Sequence, residues 1–330
     1  MGLRIGIIGS GAIGTYYGAK LAHAGRDVHF LMRGDLANVR REGIFVRGEG
    51  ENFRVATINC YNSTTEIGLC DLVIIAVKAT SNSDLVDLVP PLLHDRTMLL
   101  TLQNGLGNDE FLAEHFGAER VLGGLCFIAL QRVSRTEIER YAYGHIVLGE
   151  FGGASQPRAR EVAAEFNRAG VQCAVTDDLA LERWRKLIWN IPFNGLSIVA
   201  GGIDTAAIVG DKDLRHATLE LMDEVITAAN KCGHALPSDA WREHMERGEK
   251  MGTYKPSTLL DWEAGRPLEI EPIWGEPSRR AVAAGGRMPR TEMIYALLKQ
   301  LDLRRPSPVA SRLPLPGRGE DRGEGWPQLY

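Results

Sequence analysis

The sequence contains no apolar run that approaches the roughly 20 residues needed to cross a membrane. Its 38 lysines and arginines are outnumbered by 42 aspartates and glutamates, so a net charge of −4 gives no overall basic excess for binding nucleic acid. The apolar run at the N-terminus is too short for a secretory signal. We therefore expect a cytoplasmic protein whose partner is neither a membrane nor a nucleic acid.

Cysteine is scarce and scattered along the chain. The five residues are odd in number and lack CxxC spacing: Cys60, Cys70, Cys126, Cys173 and Cys232. This pattern argues against a disulfide framework and against a zinc site, and it favours reduced thiols that pack as small hydrophobic side chains. We predict no metal site.

Short runs rich in β-branched residues alternate with helical patterns over the first half of the chain. Such strands, separated by helices, predict a parallel sheet covered on both faces. From about Leu179 to Leu303 the periodicity is helical. We predict an α/β protein with an N-terminal Rossmann-type doubly wound sheet in residues 1–177 and an all-helical C-terminal domain in residues 178–303. Residues 304–330, which hold five of the 15 prolines and no periodicity, are expected to be a disordered tail.

A glycine-rich run follows the first predicted strand and begins the first predicted helix. It has the form GxGxxG and consists of Gly9, Ser10, Gly11, Ala12, Ile13 and Gly14. The glycines permit a tight turn, a close approach of a pyrophosphate to the backbone and close packing of the helix on the strand. The exposed N–H groups and the helix dipole favour phosphates. The run predicts a dinucleotide site, with a purely structural turn as the alternative.

The second predicted strand ends at Met32 and is followed by Arg33, where NAD-binding proteins usually carry an acidic residue for the ribose 2′-hydroxyl. An arginine suits a 2′-phosphate through charge-assisted hydrogen bonds, which predicts NADP(H) as the cofactor. Asp35 leaves room for NAD, and a merely solvated Arg33 is a further alternative. Lys78 and Asn104 follow two other strands. Because ligands of doubly wound sheets lie at the carboxyl ends of the strands, we expect both to face the same crevice.

The stretch 181–194, LERWRKLIWNIPFN, suits a helix but has apolar surface almost all the way round. At about 100° per residue, Asn190 lies about 40° and Asn194 about 80° from Lys186, so the polar residues form one narrow seam. A seam that lines a partly buried cleft would lower the pKa of Lys186 toward the range useful for proton transfer. A polar stripe at a domain junction is the alternative, and composition does not decide between them. Pro192 is expected to kink this helix.

Several motifs together resemble the ketopantoate reductases, in that family's order. They are the GxGxxG run, the arginine after the second strand, VKA at 77–79, QNGLG at 103–107 and ERWRKLIWN at 182–190. Further on, KPSTLLDWEAGRPLEIEPIWG at 255–275 resembles the family's S-S-M…E-I-D segment. The resemblance covers about residues 3–300. It implies NADPH-dependent reduction of 2-dehydropantoate to (R)-pantoate in pantothenate biosynthesis, or of a related 2-oxo acid.

The resemblance also implies roles for individual residues. Lys186 becomes the proton donor, and Glu269 becomes a second catalytic residue that orients Lys186 or the cofactor. Without the resemblance, the sequence predicts that Glu269, which follows Pro267, is an acidic residue in the first turn of a helix. Besides the glycine run and Arg33, the implied cofactor contacts are Lys78, Asn104 and Ala129. The implied substrate contacts are Asn104, Asn190, Asn194 and Ser257.

Three residues depart from the family's pattern: Pro256, Pro272 and Trp274. These departures concern the acyl side of the substrate more than the hydride chemistry. The alternatives to a ketopantoate reductase are an enzyme for a related 2-oxo acid, a 3-hydroxyacid dehydrogenase of similar build, and a redox sensor that binds NADP without turnover. The expected partner is a small-molecule 2-oxo acid, and a homodimer is left open.

Overall fold

The computed structural model describes residues 2–304 of the 330-residue chain. The predicted tail therefore lies, beyond Arg304, outside the described residues. Ten strands form one sheet: β1 (Arg4–Ile8), β2 (Asp27–Leu31), β3 (Ile44–Gly48), β4 (Glu51–Val55), β5 (Asn59–Tyr61), β6 (Leu72–Ile75), β7 (Met98–Thr101), β8 (Val121–Arg132), β9 (Glu137–Glu150) and β10 (Cys173–Val175).

Six strands of this sheet are parallel, in the order β5-β2-β1-β6-β7-β8. The order reverses between β1 and β6, which is the topological switch point where doubly wound sheets bind ligands. β6 and β7 are buried at every residue, because helices cover both faces of the sheet. The predicted Rossmann-type sheet is confirmed.

The other edge of the sheet is mixed and so differs from the parallel arrangement that the strand pattern predicts. β9 is antiparallel to β8, β3 is parallel to β9, and β4 is antiparallel to β3. Only residues 133–136 separate β8 from β9. A connection this short joins antiparallel strands, whereas parallel neighbours need a crossover of about a dozen residues or more.

Six helices accompany the sheet: α1 (Ala12–His23), α2 (Leu36–Glu42), α3 (Thr64–Ile67), α4 (Asn82–Leu88), α5 (Asn108–Phe116) and α6 (Pro157–Arg168). The rest of the described chain is helical, as predicted: α7 (Leu179–Val199), α8 (Thr205–Gly210), α9 (Lys212–Lys231), α10 (Trp241–Met251), α11 (Ser257–Glu263), α12 (Glu276–Ala283) and α13 (Pro289–Leu303), with a π-helical turn at Glu271–Gly275. Within residues 2–304, none of these helices combines the length and the apolar character of a membrane span.

α7 is the central helix of this second half and packs against α9, α11 and α13. This position explains its apolar surface, because neighbouring helices cover it on several sides. The helix runs from Leu179 to Val199 with Pro192 inside it, so the proline does not interrupt it. Proline has no N–H, so the carbonyl of Ile188 lacks its usual helical partner.

Candidate active site

Lys186 extends from α7 to the carboxyl ends of the sheet strands. Its Nζ donates to Oδ1 of Asn104, in the loop after β7, at 2.8 Å and to the carbonyl of Cys126 on β8 at 2.9 Å. The ring centroid of Phe127 lies 5.5 Å from the same nitrogen. The amine of the helical half is thus held by groups of the sheet half.

The surroundings of Lys186 favour its neutral form. The pKa of Lys186 is lowered from 10.5 to about 8, mainly by burial and in part by the guanidinium of Arg183. The thiol of Cys126 and the carboxyl of Glu269 act in the opposite direction. An amine with a pKa near the operating pH gives up and regains a proton readily, which is what a general acid requires.

A small pocket lies beside Lys186 and collects several of the predicted site residues. Lys186 meets Asn104 and Asn190 there, and the full lining is Gln103, Asn104, Gly105, Leu125, Arg183, Lys186, Leu187 and Asn190. The pocket therefore combines an amine, a guanidinium, three amides and the end of the sheet. Such groups can hydrogen-bond the carbonyl, carboxylate and hydroxyl oxygens of a small polar molecule.

Asn194, the next polar residue of the seam, is occupied elsewhere. Its Nδ2 donates to the carbonyl of Asn190 at 3.0 Å, and its Oδ1 accepts from the N–H of Thr258 at 3.2 Å. Pro256 caps α11 without a side-chain hydrogen bond, so Asn194 satisfies one of the free N–H groups of that helix. Ser257 is exposed in the same first turn. The structure does not bring Asn194 or Ser257 into the pocket beside Lys186.

Lys78 and Glu269 join the end of β6 to the segment after α11. Oε1 of Glu269 accepts from the N–H of Ala79 at 2.9 Å. Nζ of Lys78 donates to the carbonyl of Pro267 at 2.9 Å and pairs with Asp261 at 2.5 Å. Burial raises the pKa of Glu269, against the hydrogen bond from Ala79 and the charge of Lys78. Glu269 lies in a loop before the π-helical turn, so its predicted place in a first helical turn is wrong.

A buried ion pair between Arg183 and Asp109 supports the pocket, although neither residue is among the predicted site residues. Nη2 of Arg183 donates to Oδ1 of Asp109 at 2.6 Å. Nη1 donates to the carbonyls of Gln103 at 3.2 Å and Gly105 at 3.3 Å, on either side of Asn104. Arg183 thereby fixes the loop that carries Asn104. Its spacing of three residues from Lys186, which places both on one side of a helix, is the signal that identifies it.

Pro272 and Trp274, which depart from the family's pattern, lie outside the pocket lining. The carbonyl of Pro272 accepts from the N–H of Leu106 at 2.9 Å. Gly105 has φ +82°, and a Cβ there would lie 2.2 Å from that carbonyl oxygen, so only glycine fits. Trp274 is fully buried and donates to the carbonyl of Ile191 at 3.1 Å. Both residues therefore support the backbone around the pocket.

The glycine run lies at the switch point between β1 and β6. Gly9 has φ +107°, and a Cβ there would lie 2.4 Å from the backbone of Ala76. A Cβ on Gly14 would lie 2.0 Å from the carbonyl oxygen of Gly9, whereas nothing lies within 4 Å of a Cβ on Gly11. The backbone at Gly11 is open at the N-terminus of α1. This arrangement fits a pyrophosphate, with Ser10 in the turn and Ala12 and Ile13 at the start of α1.

The remaining predicted cofactor residues, Arg33 and Ala129, lie at separate places in the sheet half. Arg33 is exposed after β2, where its guanidinium lies 3.5 Å from Asp84. Asp35 is paired with Arg132 at 2.8 Å. Ala129 is buried in β8, opposite Ala142 of β9. Of these residues, Arg33 alone presents an exposed charged side chain at the end of β2.

The cysteine, acidic and histidine side chains form neither a disulfide nor a metal-binding cluster in the part of the chain that the structure describes. All five cysteines are free thiols. Within residues 2–304, no group of three or more His, Cys, Asp and Glu residues is arranged to hold a metal ion.

Comparison with known families covers both halves of the chain. The family described as Ketopantoate reductase PanE/ApbA matches residues 5–153, and the one described as Ketopantoate reductase PanE/ApbA C terminal matches residues 178–302. The chain belongs to the ketopantoate reductase family. Membership confirms the predicted resemblance and makes the chain an oxidoreductase.

Individual relatives match over nearly their whole length. A 2-dehydropantoate 2-reductase of Nostoc sp. is 37% identical over 304 residues, which cover 91% of this chain and 95% of that protein. The crystal structure of 2-dehydropantoate 2-reductase from Geobacter metallireducens has a TM-score of 0.88 at 42% identity, covering 90% of this chain and 99% of that one. The ternary structure of D-mandelate dehydrogenase with NADH and anilino(oxo)acetate has a TM-score of 0.83 at 19% identity, covering 90% and 97% of the two chains, and shows the shared fold alone.

Proposed function

We propose that this protein reduces 2-dehydropantoate to (R)-pantoate with NADPH, with the hydride coming from nicotinamide C4 and the proton from Lys186. The observation that carries the proposal is the amine of Lys186, buried in the pocket with its pKa lowered to about 8 and bonded to Asn104 at 2.8 Å. Relatives named 2-dehydropantoate 2-reductase support the substrate. The same chemistry would serve pantothenate biosynthesis.

The cofactor proposal rests on the residues at the switch point. The glycine run would hold the pyrophosphate, since the backbone at Gly11 is open. Arg33 would bind the 2′-phosphate, which favours NADPH over NADH. Lys78, Asn104 and Ala129 would supply further contacts. When bound, the nicotinamide would supply the hydride, and these residues would supply position and charge.

Lys186 has the central role in the proposed reaction. Its ammonium would polarise the C2 ketone and donate a proton to the alkoxide that forms there. Asn104 holds the amine through Oδ1, and its amide NH₂ would position the ketone. The charge of Glu269 raises the pKa of Lys186 and so favours the protonated donor.

Asn190 would bind the substrate directly, because its amide lines the pocket. Asn194 would hold Asn190 in position, since its Nδ2 donates a hydrogen bond to the carbonyl of Asn190. It also holds the first turn of α11, where the exposed Ser257 would contact the hydroxyl or carboxylate end of the substrate. Asn194 therefore enters the proposal as a residue that positions the site.

We also propose a cytoplasmic location for this enzyme. All five cysteines are free, which suits a reducing compartment. Its partner would be a small 2-oxo acid, and a homodimer stays a prediction.

A substrate panel tests the function directly. The full chain is mixed with NADPH or NADH and with 2-dehydropantoate, other 2-oxo acids and, in the oxidative direction, 3-hydroxy acids, and nicotinamide absorbance is followed. We expect the highest kcat/KM with NADPH and 2-dehydropantoate. A preference for another 2-oxo acid or for a 3-hydroxy acid would contradict the proposal that 2-dehydropantoate is the substrate. Tight NADPH binding without turnover of any substrate would contradict the enzymatic role.

The role of Lys186 is tested with Lys186→Ala and a matched control, Lys212→Ala, which removes an exposed lysine of α9. Loss of the general acid should lower kcat by about 10²- to 10⁴-fold, while the control should keep the wild-type kcat. A Lys186→Ala variant with full kcat would refute the assignment.

A further inference from the structure

Two arginines near the junction of β8 and β9 reach the end of β2, away from the pocket beside Lys186. Arg132 is the last residue of β8, and Arg135 lies in the turn that follows. Nη1 of Arg132 donates to the carbonyl of Ser10, in the glycine run, at 2.6 Å. Nη2 of the same side chain lies 2.8 Å from Oδ2 of Asp35. Arg135 donates to the carbonyl of Gly34 at 3.5 Å and lies 3.9 Å from the Asp35 carboxylate. The turn is therefore tied to both parts of the chain that a dinucleotide would contact.

Asp35 is the carboxylate that leaves room for NAD in this sequence, because an acidic residue after the second strand can accept a hydrogen bond from the ribose 2′-hydroxyl. In the structure that carboxylate is bound by Arg132. The two side chains are 21% and 23% exposed, so water screens their interaction only in part. A free Asp35 would attract a 2′-hydroxyl and repel a 2′-phosphate, whereas the paired Asp35 does neither.

Arg33 and Arg135 differ from Arg132 in their exposure. Their side chains are 71% and 68% exposed, and each lies at least 3.5 Å from its acidic partner, Asp84 or Asp35. Exposed ion pairs at such distances are weak, so both guanidinium groups are available to an anion. Guanidinium groups are well suited to phosphate because they donate two parallel hydrogen bonds.

We propose that Arg132 determines the cofactor preference by holding the Asp35 carboxylate, while Arg33 and Arg135 bind the 2′-phosphate of NADPH. The inference rests on the proposed function in that the bound cofactor is a nicotinamide dinucleotide. It adds Arg132, at the end of β8, and Arg135, in the β8–β9 turn, to the single arginine that follows β2. It also gives Asp35 a defined role, because Asp35 becomes unfavourable to NADPH only when Arg132 is absent.

Binding measurements on the full chain without substrate test this proposal. NADPH and NADH are titrated separately, with nicotinamide fluorescence as the signal, into wild type, Arg132→Met, Asp35→Asn and the double variant. Wild type should bind NADPH about tenfold or more tighter than NADH. Arg132→Met should reduce that ratio about tenfold, chiefly by weakening NADPH, because the freed carboxylate faces the phosphate. Arg96→Met, which removes an exposed arginine just before β7, should leave the ratio unchanged.

The double variant separates this role from a purely structural one. If the freed carboxylate is the cause, Asp35→Asn in the Arg132→Met background should restore most of the preference for NADPH. If Arg132 only supports the glycine run through Ser10, both cofactors should weaken equally and Asp35→Asn should restore nothing. That second result would overturn the proposal.

A probe without nicotinamide tests the phosphate-binding arginines. Adenosine 2′,5′-bisphosphate and 5′-AMP are titrated calorimetrically into wild type, Arg33→Met and Arg135→Met. Each variant should lose about tenfold in affinity for the bisphosphate and little for 5′-AMP. Equal losses for both probes, or no loss with Arg135→Met, would contradict the assignment.

The outcomes also distinguish this proposal from the reductase function. Equal affinities of wild type for NADPH and NADH would overturn the role of Arg132 while leaving a reductase that uses either cofactor. The expected discrimination, together with no turnover of any 2-oxo acid, would support the role of Arg132 and contradict the reductase.

Discussion

The polar seam of α7 has two halves with different surroundings. The pocket half, Lys186 and Asn190, faces the loop after β7 and lines the pocket. The structural half, Asn194 and Ser197, forms hydrogen bonds with backbone groups. Asn194 bonds to the backbone of α11 and of its own helix. The hydroxyl of Ser197 donates to the carbonyl of Asn194 at 3.0 Å. Four polar residues on one side of a helix thus serve two purposes.

The difference shows that the periodicity of a helix does not by itself determine what its polar residues contact. Angles around the helix place all four residues on one side of α7. Along the helix axis, however, the element that contacts this side changes from the sheet to α11. Lys186 and Asn194 are two turns apart, a distance of about 12 Å, so they face different elements. Asn194 and Ser197 fit the polar-junction interpretation of the seam, and the catalytic interpretation of Lys186 and Asn190 stays a proposal.

The largest expected effect comes from removing the ion pair that fixes the pocket half. Arg183→Met leaves the Asp109 carboxylate buried without its partner, which should lower the free energy of unfolding by about 3–5 kcal/mol. It should also lower kcat, because the backbone around Asn104 loses two hydrogen bonds. Urea denaturation and steady-state kinetics measure the two effects.

The neighbouring Arg185→Met is the control for this change. Arg185 is more exposed and pairs with Glu182 at 3.4 Å, so its loss should cost about 1 kcal/mol or less. A double variant, Arg183→Met with Asp109→Asn, should recover part of the stability because no buried charge is left unpaired. Equal destabilisation by Arg183→Met and Arg185→Met would show that the buried pair does not hold the loop.

A smaller effect on stability is expected in the structural half. Asn194→Ala removes the acceptor of the buried Thr258 N–H and a side-chain donor to the Asn190 carbonyl, which should lower the free energy of unfolding by about 1–3 kcal/mol. At saturating substrate, kcat should change little. A kcat loss as large as that of Lys186→Ala would mean that Asn194 belongs to the pocket half.

The smallest effect on stability is expected one turn earlier, at Asn190. Asn190→Ala should change the free energy of unfolding by about 1 kcal/mol or less, because this amide lines the pocket. It should raise KM about tenfold, since one hydrogen bond to the substrate is lost. If Asn194→Ala raised KM more than Asn190→Ala did, the division of the seam would be contradicted.

Much of the fold can be predicted from local sequence patterns, but strand β8 cannot. The apolar runs of β1, β6 and β7 are predictable because buried parallel strands are apolar on both faces. β8 contains Gly123 and Gly124, which are poor strand formers. A Cβ on Gly123 would lie 2.6 Å from the Asp109 carboxylate and 2.8 Å from the Arg183 guanidinium. The glycine makes room for the ion pair, and that requirement appears only once the halves are packed together.

The candidate site divides in the same way. Lys186, Asn190 and Asn104 are predictable from helical spacing and from strand ends, and the structure brings them together. The environment of Lys186 is not predictable from the sequence, because the carbonyl of Cys126 that binds its amine lies 60 residues away along the chain. The carbonyls of the loop around Asn104 are likewise held by long-range contacts that no local pattern encodes.

The pH dependence of kcat/KM for 2-dehydropantoate, with NADPH as the cofactor, tests the central claim most directly, because kcat/KM reports the pKa of a group before the substrate binds. Lys186 must carry a proton to donate it, and its pKa is lowered to about 8. We predict that kcat/KM is constant below this value and falls tenfold per pH unit above it. Arg183→Met should move the fall to higher pH, since the guanidinium lowers the pKa of Lys186. A kcat/KM that stayed constant up to the ordinary lysine pKa of 10.5 would contradict the assignment of Lys186 as a buried proton donor.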